Sequence, residues 1–325
     1  MSETLEAPIV QAISPDHGPS KEDTEMIQIL VSHGADVNRR MGNHHFSPIS
    51  GDTPLLFAVK HGKYKIAEFL LYKGAEPITA DRETGQTSIM YASRAANYGL
   101  VKLLIEHGAD VRISSSLGTP IQALTYRRVD GPPETIENLA MICRLLLDSG
   151  ADVNANQTMT CEMTALQGAI DCGTQELIDI LLEAGANIHT PAYWYEGKTA
   201  LQGAVSTGNF KLVKRLVEMG VDVNAPPAAV GGATALQYAA IAGHINMAMF
   251  LLEHGASIKA PKSSRGELTA LQGASRYGRL DMIHLLLEND QDVDTVEERC
   301  RDSAGIAEKE GFMEISNVLR EYKRP

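Results

Sequence analysis

Ten histidines, four cysteines and 41 carboxylates are the material for chemistry in this 325-residue chain. His33, His107 and His254 each precede a glycine that closes a leucine-rich run. There an imidazole can bond the last carbonyls of a helix and favour its dipole, so a structural role is expected. His44 and His45 are adjacent in the stretch RRMGNHHFSPISGD, and neighbours in an extended segment point to opposite sides, which makes a poor chelate. Asp171 beside Cys172 resembles half of a dyad, but no histidine follows in that segment. Cys143, Cys161, Cys172 and Cys300 form no C-x-x-C pair and lie far apart. Neither a disulfide framework nor a zinc site is signalled, and they read as reduced, mostly buried thiols. The G-x-S-x-G elbow, the phosphate-binding G-x-x-x-x-G-K-[ST] loop, the H-E-x-x-H helix and the EF-hand loop do not occur. No catalytic residue, metal or cofactor is therefore expected.

Charge narrows the partners. With 29 Lys and Arg against 41 Asp and Glu the formal charge is −12, which disfavours a nucleic-acid or polybasic membrane-surface binder. No run approaches eighteen apolar residues, and Glu3, Glu6, Asp16, Lys21, Glu22 and Asp23 stand where a signal peptide needs an apolar core. A soluble monomer of the cytosol or nucleus is the expectation, with no membrane contact.

The elements that must position any site come from a repeat. The tetrapeptide Thr-Ala-Leu-Gln begins at Thr164, Thr199, Thr234 and Thr269, each 35 residues after the last. Each copy leads to a leucine-rich run and a turn, such as LLEAGANI or LLEHGASI. The same ruler finds units beginning at Thr53, Thr87 and Thr119, the last carrying ten extra residues, RRVDGPPETI, whose Gly131-Pro132-Pro133 reads as a turn. Thr at the head of each unit is a helix N-cap, and the following Leu and Ala supply the buried face of a short inner helix. Gly62, Gly173, Gly208, Gly243 and Gly278 then permit the left-handed residue that closes it. An outer helix follows, apolar in one unit at Leu177, Ile178, Leu181 and Leu182, the spacing of one helical face. One such unit cannot bury both helices, so the units must stack. Gln167, Gln202, Gln237 and Gln272 recur with the period, which assigns them to hydrogen bonding between an inner helix and a neighbouring hairpin.

These residues resemble the ankyrin repeats, whose pattern runs T-P-L-H-x-A, then G-H, then L-L-x-x-G-A-D-V-N. The resemblance implies an all-α solenoid of about nine helix-turn-helix units with hairpin loops, one elongated domain over residues 1–325. Residues 1–46 would form an N-terminal capping repeat with an insertion and 47–298 seven central repeats with an expanded loop near 127–137. Residues 299–325 would close the stack with a polar outer face. The A-x-Q that replaces P-x-H in four repeats resembles a variant common in filamentous fungi, which implies a fungal source.

Arrays of this kind bind through hairpin tips and the exposed side of the inner helices. The resemblance therefore directs attention to Phe57, Lys60, His61, Tyr91, Arg94, Tyr126 and Arg127, a basic and aromatic set, then to Asp171, Tyr238, Arg276 and Tyr277. Gly168 and Gly203 would leave a hollow between aromatic walls. Tyr193, Trp194 and Tyr195 form an aromatic triplet in the tip PAYWYEG, and Trp and Tyr dominate binding hot spots. The function implied is a non-catalytic module holding a protein or peptide partner with acidic groups. The alternative is an enzyme or small-molecule binder using a pocket in the groove.

Overall fold

The computed structural model describes residues 21–40, 52–125, 133–156, 162–264, 268–292 and 294–323. They form seventeen helices, and no strand occurs among them. The chain divides into two compact units, Met1–Ala186 and Asn187–Pro325.

In the first unit α1 (Lys21–Ser32) precedes four helix pairs. These are α2 (Pro54–Lys60) with α3 (Tyr64–Tyr72), α4 (Ser88–Arg94) with α5 (Tyr98–Glu106), α6 (Pro120–Thr125) with α7 (Pro133–Asp148), and α8 (Ala165–Asp171) with α9 (Gln175–Glu183). The second unit holds α10 (Ala200–Ser206) with α11 (Phe210–Glu218), α12 (Ala235–Ala242) with α13 (Ile245–Glu253), α14 (Ala270–Arg276) with α15 (Leu280–Asn289), and α16 (Val296–Lys309) with α17 (Met313–Glu321). Within each unit inner helix packs on inner helix and outer on outer.

Capping explains why the inner helices are so short. At Thr164, Thr199, Thr234 and Thr269 the hydroxyl accepts from the N–H three residues on, and the Gln there accepts from the threonine N–H in return. This reciprocal pairing satisfies two donors that a helix start leaves open. At the other end the backbone turns left-handed, at Gly243 with φ 77°. Ala96 does the same work after α4 at φ 53°, the one such turn where alanine replaces glycine among the inner-helix ends described.

The glutamines do a second job. The Gln237 side-chain amide donates to Ala260 O at 3.0 Å and Pro261 O at 3.2 Å, and Gln202 reaches Ala225 O and Pro226 O at 3.0 and 3.1 Å. Gln122, outside the TALQ copies, donates to Ala155, Asn156 and Met163 carbonyls. Gln237→Leu orphans the Thr234 N–H and both carbonyls in a site that is 1% exposed. Loss of about 1–2 kcal/mol is expected in urea unfolding, and an unchanged midpoint would remove this role. Asparagines add a tie that sequence reading overlooked: Asn38 to Gly74 O at 3.0 Å, Asn154 to Gly185 O at 3.1 Å, Asn224 to Gly255 O at 2.9 Å.

Two expectations change. Gly168 and Gly273 of the inner helices are close-packing positions: a Cβ on Gly168 would stand 2.7 Å from Thr125 Oγ1, and one on Gly273 2.8 Å from Ile241 Cγ1. The hollow expected over Gly168 is thus occupied by the preceding helix. The expansion after α6 is not all turn, because α7 begins at Pro133 and runs for 16 residues where its outer-helix counterparts have nine or ten. Proline has no N–H to lose in a first helical turn, so Pro133 starts a helix it could not continue.

Candidate functional site

The residues of the first unit divide by what holds them. Phe57 corrects the reading of an exposed groove: it is 1% exposed on α2, and its ring packs in the core, tilted against His61 with ring centroids 4.3 Å apart. The buried arc takes in six successive positions here, Pro54 to Val59. Lys60 is engaged too, its ammonium 2.8 Å from Asp52 and 4.6 Å above the Tyr91 ring. Tyr91 donates its hydroxyl to Asp81 at 2.8 Å, and Asp81 also accepts from the Thr84 hydroxyl and N–H at 2.6 Å each. Asp52, Lys60, Tyr91, Asp81 and Thr84 are therefore one polar chain pinning a hairpin to two inner helices. His61 and Arg94 are exposed at the ends of α2 and α4. Tyr126 and Arg127 lie outside the described residues, as do His44 and His45.

Electrostatics follows from this chain. Burial alone would lower the Lys60 ammonium, but the Asp52 carboxylate outweighs it and raises the group above its usual value. Burial raises the Tyr91 hydroxyl, helped by its bond to Asp81. His61 is lowered by burial and by the charges of Lys63 and Lys60. For Asp81 burial works upward, and the Thr84 hydroxyl and amide together with the Tyr91 hydroxyl hold the carboxyl below its ordinary range. A folded value below the unfolded one gives stability that is full above about pH 4 and lost as pH falls through the folded value. Thr84→Val removes one of those bonds and is expected to flatten the fall in urea midpoint below about pH 4. An unaltered pH profile would show that the carboxylate is held by other means.

Asp171 is exposed at the end of α8, and the Cys172 thiol beside it donates to Thr125 O at 3.2 Å, a bond between inner helices. Burial pushes the Cys143 thiol up to about 12, away from reactivity. Among the described residues no three His, Cys, Asp or Glu side chains gather as a metal site.

In the second unit the aromatic tip is the feature that stands in solvent. Trp194 is 59% and Tyr195 43% exposed, while Tyr193 is half-buried. Trp194 lies between its neighbours with ring centroids 6.2 Å from Tyr193 and 5.6 Å from Tyr195, the latter edge-on. Its backbone is held: Val230 N–H donates to Trp194 O at 3.0 Å, and Glu196 N–H to Val230 O at 2.8 Å. The next tip joins in turn, Ser264 N–H reaching Ala229 O at 3.2 Å. Gly197 permits the tight return, since a Cβ there would stand 2.4 Å from Tyr193 N. Three successive tips are thus tied by main chain, with the Trp194 and Tyr195 rings left outside. Tyr238 is half-buried on α12, Tyr277 is exposed at the end of α14, and Arg276 pairs with Glu310 at 3.5 Å.

Sequence reading found the aromatic tip but not its pairing with Val230 or that of Ala229 with Ser264, nor Asp52, Asp81 and Thr84 as partners of the groove residues. A signal existed for Asp81, because Asp with Thr three residues on is an Asx-turn pattern. Among the described residues no helix is long and apolar enough to cross a membrane.

Comparison with known proteins places the repeat. The family model "Ankyrin repeats (3 copies)" matches residues 20–115, 135–227 and 226–297. Ankyrin repeat and SOCS box protein 6 of Homo sapiens is 32% identical over 146 residues, 41% of this chain and 33% of that protein. A putative ankyrin repeat protein of Rickettsia felis is 36% identical over 109 residues, 34% of this chain and 47% of that protein. The chain therefore spans less than half the length of these relatives. The structure of the human ASB11 ankyrin repeat domain superposes with a TM-score of 0.56 at 22% identity, covering 74% of this chain and 99% of that one. At that identity the likeness shows the fold alone.

Proposed function

We propose, since the chain belongs to the ankyrin repeat family, that it is a non-catalytic recognition module which holds a protein or peptide partner. Ankyrin repeats in general mediate protein–protein interactions. The finer assignment rests on one observation: Trp194 and Tyr195 stand in water on a tip whose backbone is paired to the next. Exposed aromatic area on a rigid support loses little entropy when it is covered, which favours binding there. His61 and Arg94, exposed at the ends of α2 and α4, form a second contact region, suited to a partner with acidic groups. The proposal includes a monomer of the cytosol or nucleus and a fungal source.

Trp194→Ala is the test. Proteins retained on the immobilised full chain at 0.15 M salt, about physiological, are quantified for wild type and variant. A specific partner is expected to lose about 2 kcal/mol, roughly 30-fold in affinity, while the main-chain pairing of the tip persists. Equal retention by the variant would sink the placement of the contact on this tip.

A further inference from the structure

The outer helices of the second unit carry a different feature. Leu212, Val213 and Leu216 bury one side of α11, and Met247, Ala248 and Leu251 one side of α13. On the outward side Phe210 of α11 meets Phe250 of α13 edge to face at 5.8 Å, and His254 lies 4.2 Å beyond Phe250. Beside Phe210 is an open depression of about 350 Å³, completed by Gly243, His244, Ile245, Asn246 and Met247. Met249 stands 44% exposed on the same helix.

An outer helix facing water normally carries charge on that side. The sequence of α13, INMAMFLLE, has one charged residue, Glu253 at its last position. Cations instead come from its neighbours. Lys214 stands 4.4 Å over the Phe210 ring and Lys211 is exposed beside it. Arg279, at the head of α15, reaches within 3.0 Å of where a Cβ on Gly243 would stand, so it borders the depression. None of the three forms an ion pair among the described residues. Acidic groups nearby in sequence are Glu218 at the far end of α11 and Asp281 in the first turn of α15. In a chain of charge −12 this is a local reversal of sign around an apolar surface.

We propose that the outward face of α11 and α13 is a docking surface for an acidic peptide segment bearing a bulky apolar side chain. The side chain enters the depression against Phe210 and Ile245, and flanking carboxylates meet Lys211, Lys214 and Arg279. Carboxylates are the charge these three cations lack, and apolar area covered between them excludes water from the pairs. The surface is separate from the aromatic tip, and neither assignment depends on the other.

A random dodecapeptide display library is selected on the immobilised full chain, and the enriched peptides are resynthesised with fluorescein for anisotropy titration. The selected peptides are expected to be rich in Asp and Glu around a Leu, Phe or Trp. Binding should weaken at least tenfold with the double change Lys211→Glu, Lys214→Glu and with Met249→Ser, all at exposed positions that leave the fold intact. Trp194→Ala should leave it unchanged, and raising salt from 50 to 300 mM should weaken it, since exposed pairs are screened. The proposal is overturned if no peptide is enriched, if the enriched ones lack an acidic excess, or if they bind the lysine double variant as well as the wild type. It is also overturned if the chain sediments with anionic phosphatidylserine vesicles through these lysines while no peptide binds, or if Trp194→Ala alone abolishes binding.

Discussion

Leu236→Ala is expected to cost about 2–5 kcal/mol and to broaden or split the unfolding transition of the second unit. Leu236 is 1% exposed on α12, between α10 and α14, both of which α12 touches. Removing its branched end leaves a cavity that short helices held by caps at both ends can close only in part. Stability in a stack is a sum of repeat terms and nearest-neighbour interfaces, so a cavity at this position weakens two interfaces at once. Leu319, equally buried on α17, lies at the end of the stack, and Leu319→Ala should fray that end with the remainder still cooperative. Far-UV circular dichroism follows all helices, whereas the single tryptophan, Trp194, reports its own tip. Separation of the two signals in Leu236→Ala, and in Leu319→Ala a small early loss of helix signal followed by one main transition shared by both probes, is the expected pattern. One sharp, merely shifted transition in both variants would contradict coupling by neighbours.

Gly232→Ala should destabilise by about 3 kcal/mol, the upper part of the usual range for overpacking. A Cβ at this position would stand 2.4 Å from Ala228 N and 2.7 Å from Ala228 Cβ. Those atoms belong to the main chain and its first carbon, so no rotamer change relieves the clash, and the tip must open. Ala229 and Val230 lie between the two residues and carry the bonds to Ser264 and Trp194. A shift in Trp194 emission toward the red, with faster iodide quenching, is therefore expected alongside the lost stability. Gly305 provides the opposite sign. It lies within α16 with nothing inside 4 Å of a built Cβ, and Gly305→Ala should stabilise by about 0.5–1 kcal/mol. If both changes destabilise equally, the clash at Gly232 is not what controls the first.

How much of this was legible depended on whether a position is governed by its own segment or by the next one. The left-handed glycines and the caps at Thr53, Thr164, Thr199, Thr234 and Thr269 are local, each following from residues within one turn, and the structure reproduces them, whereas the Thr87 hydroxyl makes no cap bond. Leu177, Ile178 and Leu181 likewise show their burial in their spacing. Phe57 misled because helical spacing tells which residues share a face but not how wide the buried arc is, and on α2 it takes in every residue from Pro54 to Val59. Gly168 misled in the opposite direction, since a missing side chain reads equally as a hollow or as room for a neighbour, and Thr125 occupies that room. Pairing of Val230 with Trp194 uses only backbone atoms and leaves no trace in side-chain pattern. The cluster on α11 and α13 went unseen for a related reason: Lys214 over Phe210 and Phe210 against Phe250 depend on the register between two helices.

The main-chain ties between tips separate what holds each loop in place from what it displays. Ser264, Val230 and Glu196 contribute N–H or carbonyl groups that every residue except proline carries in full. The Trp194 side chain can therefore be exchanged, with Gly197 and Gly232 kept as the seams. A library randomised at that position would diversify specificity on an unchanged chassis.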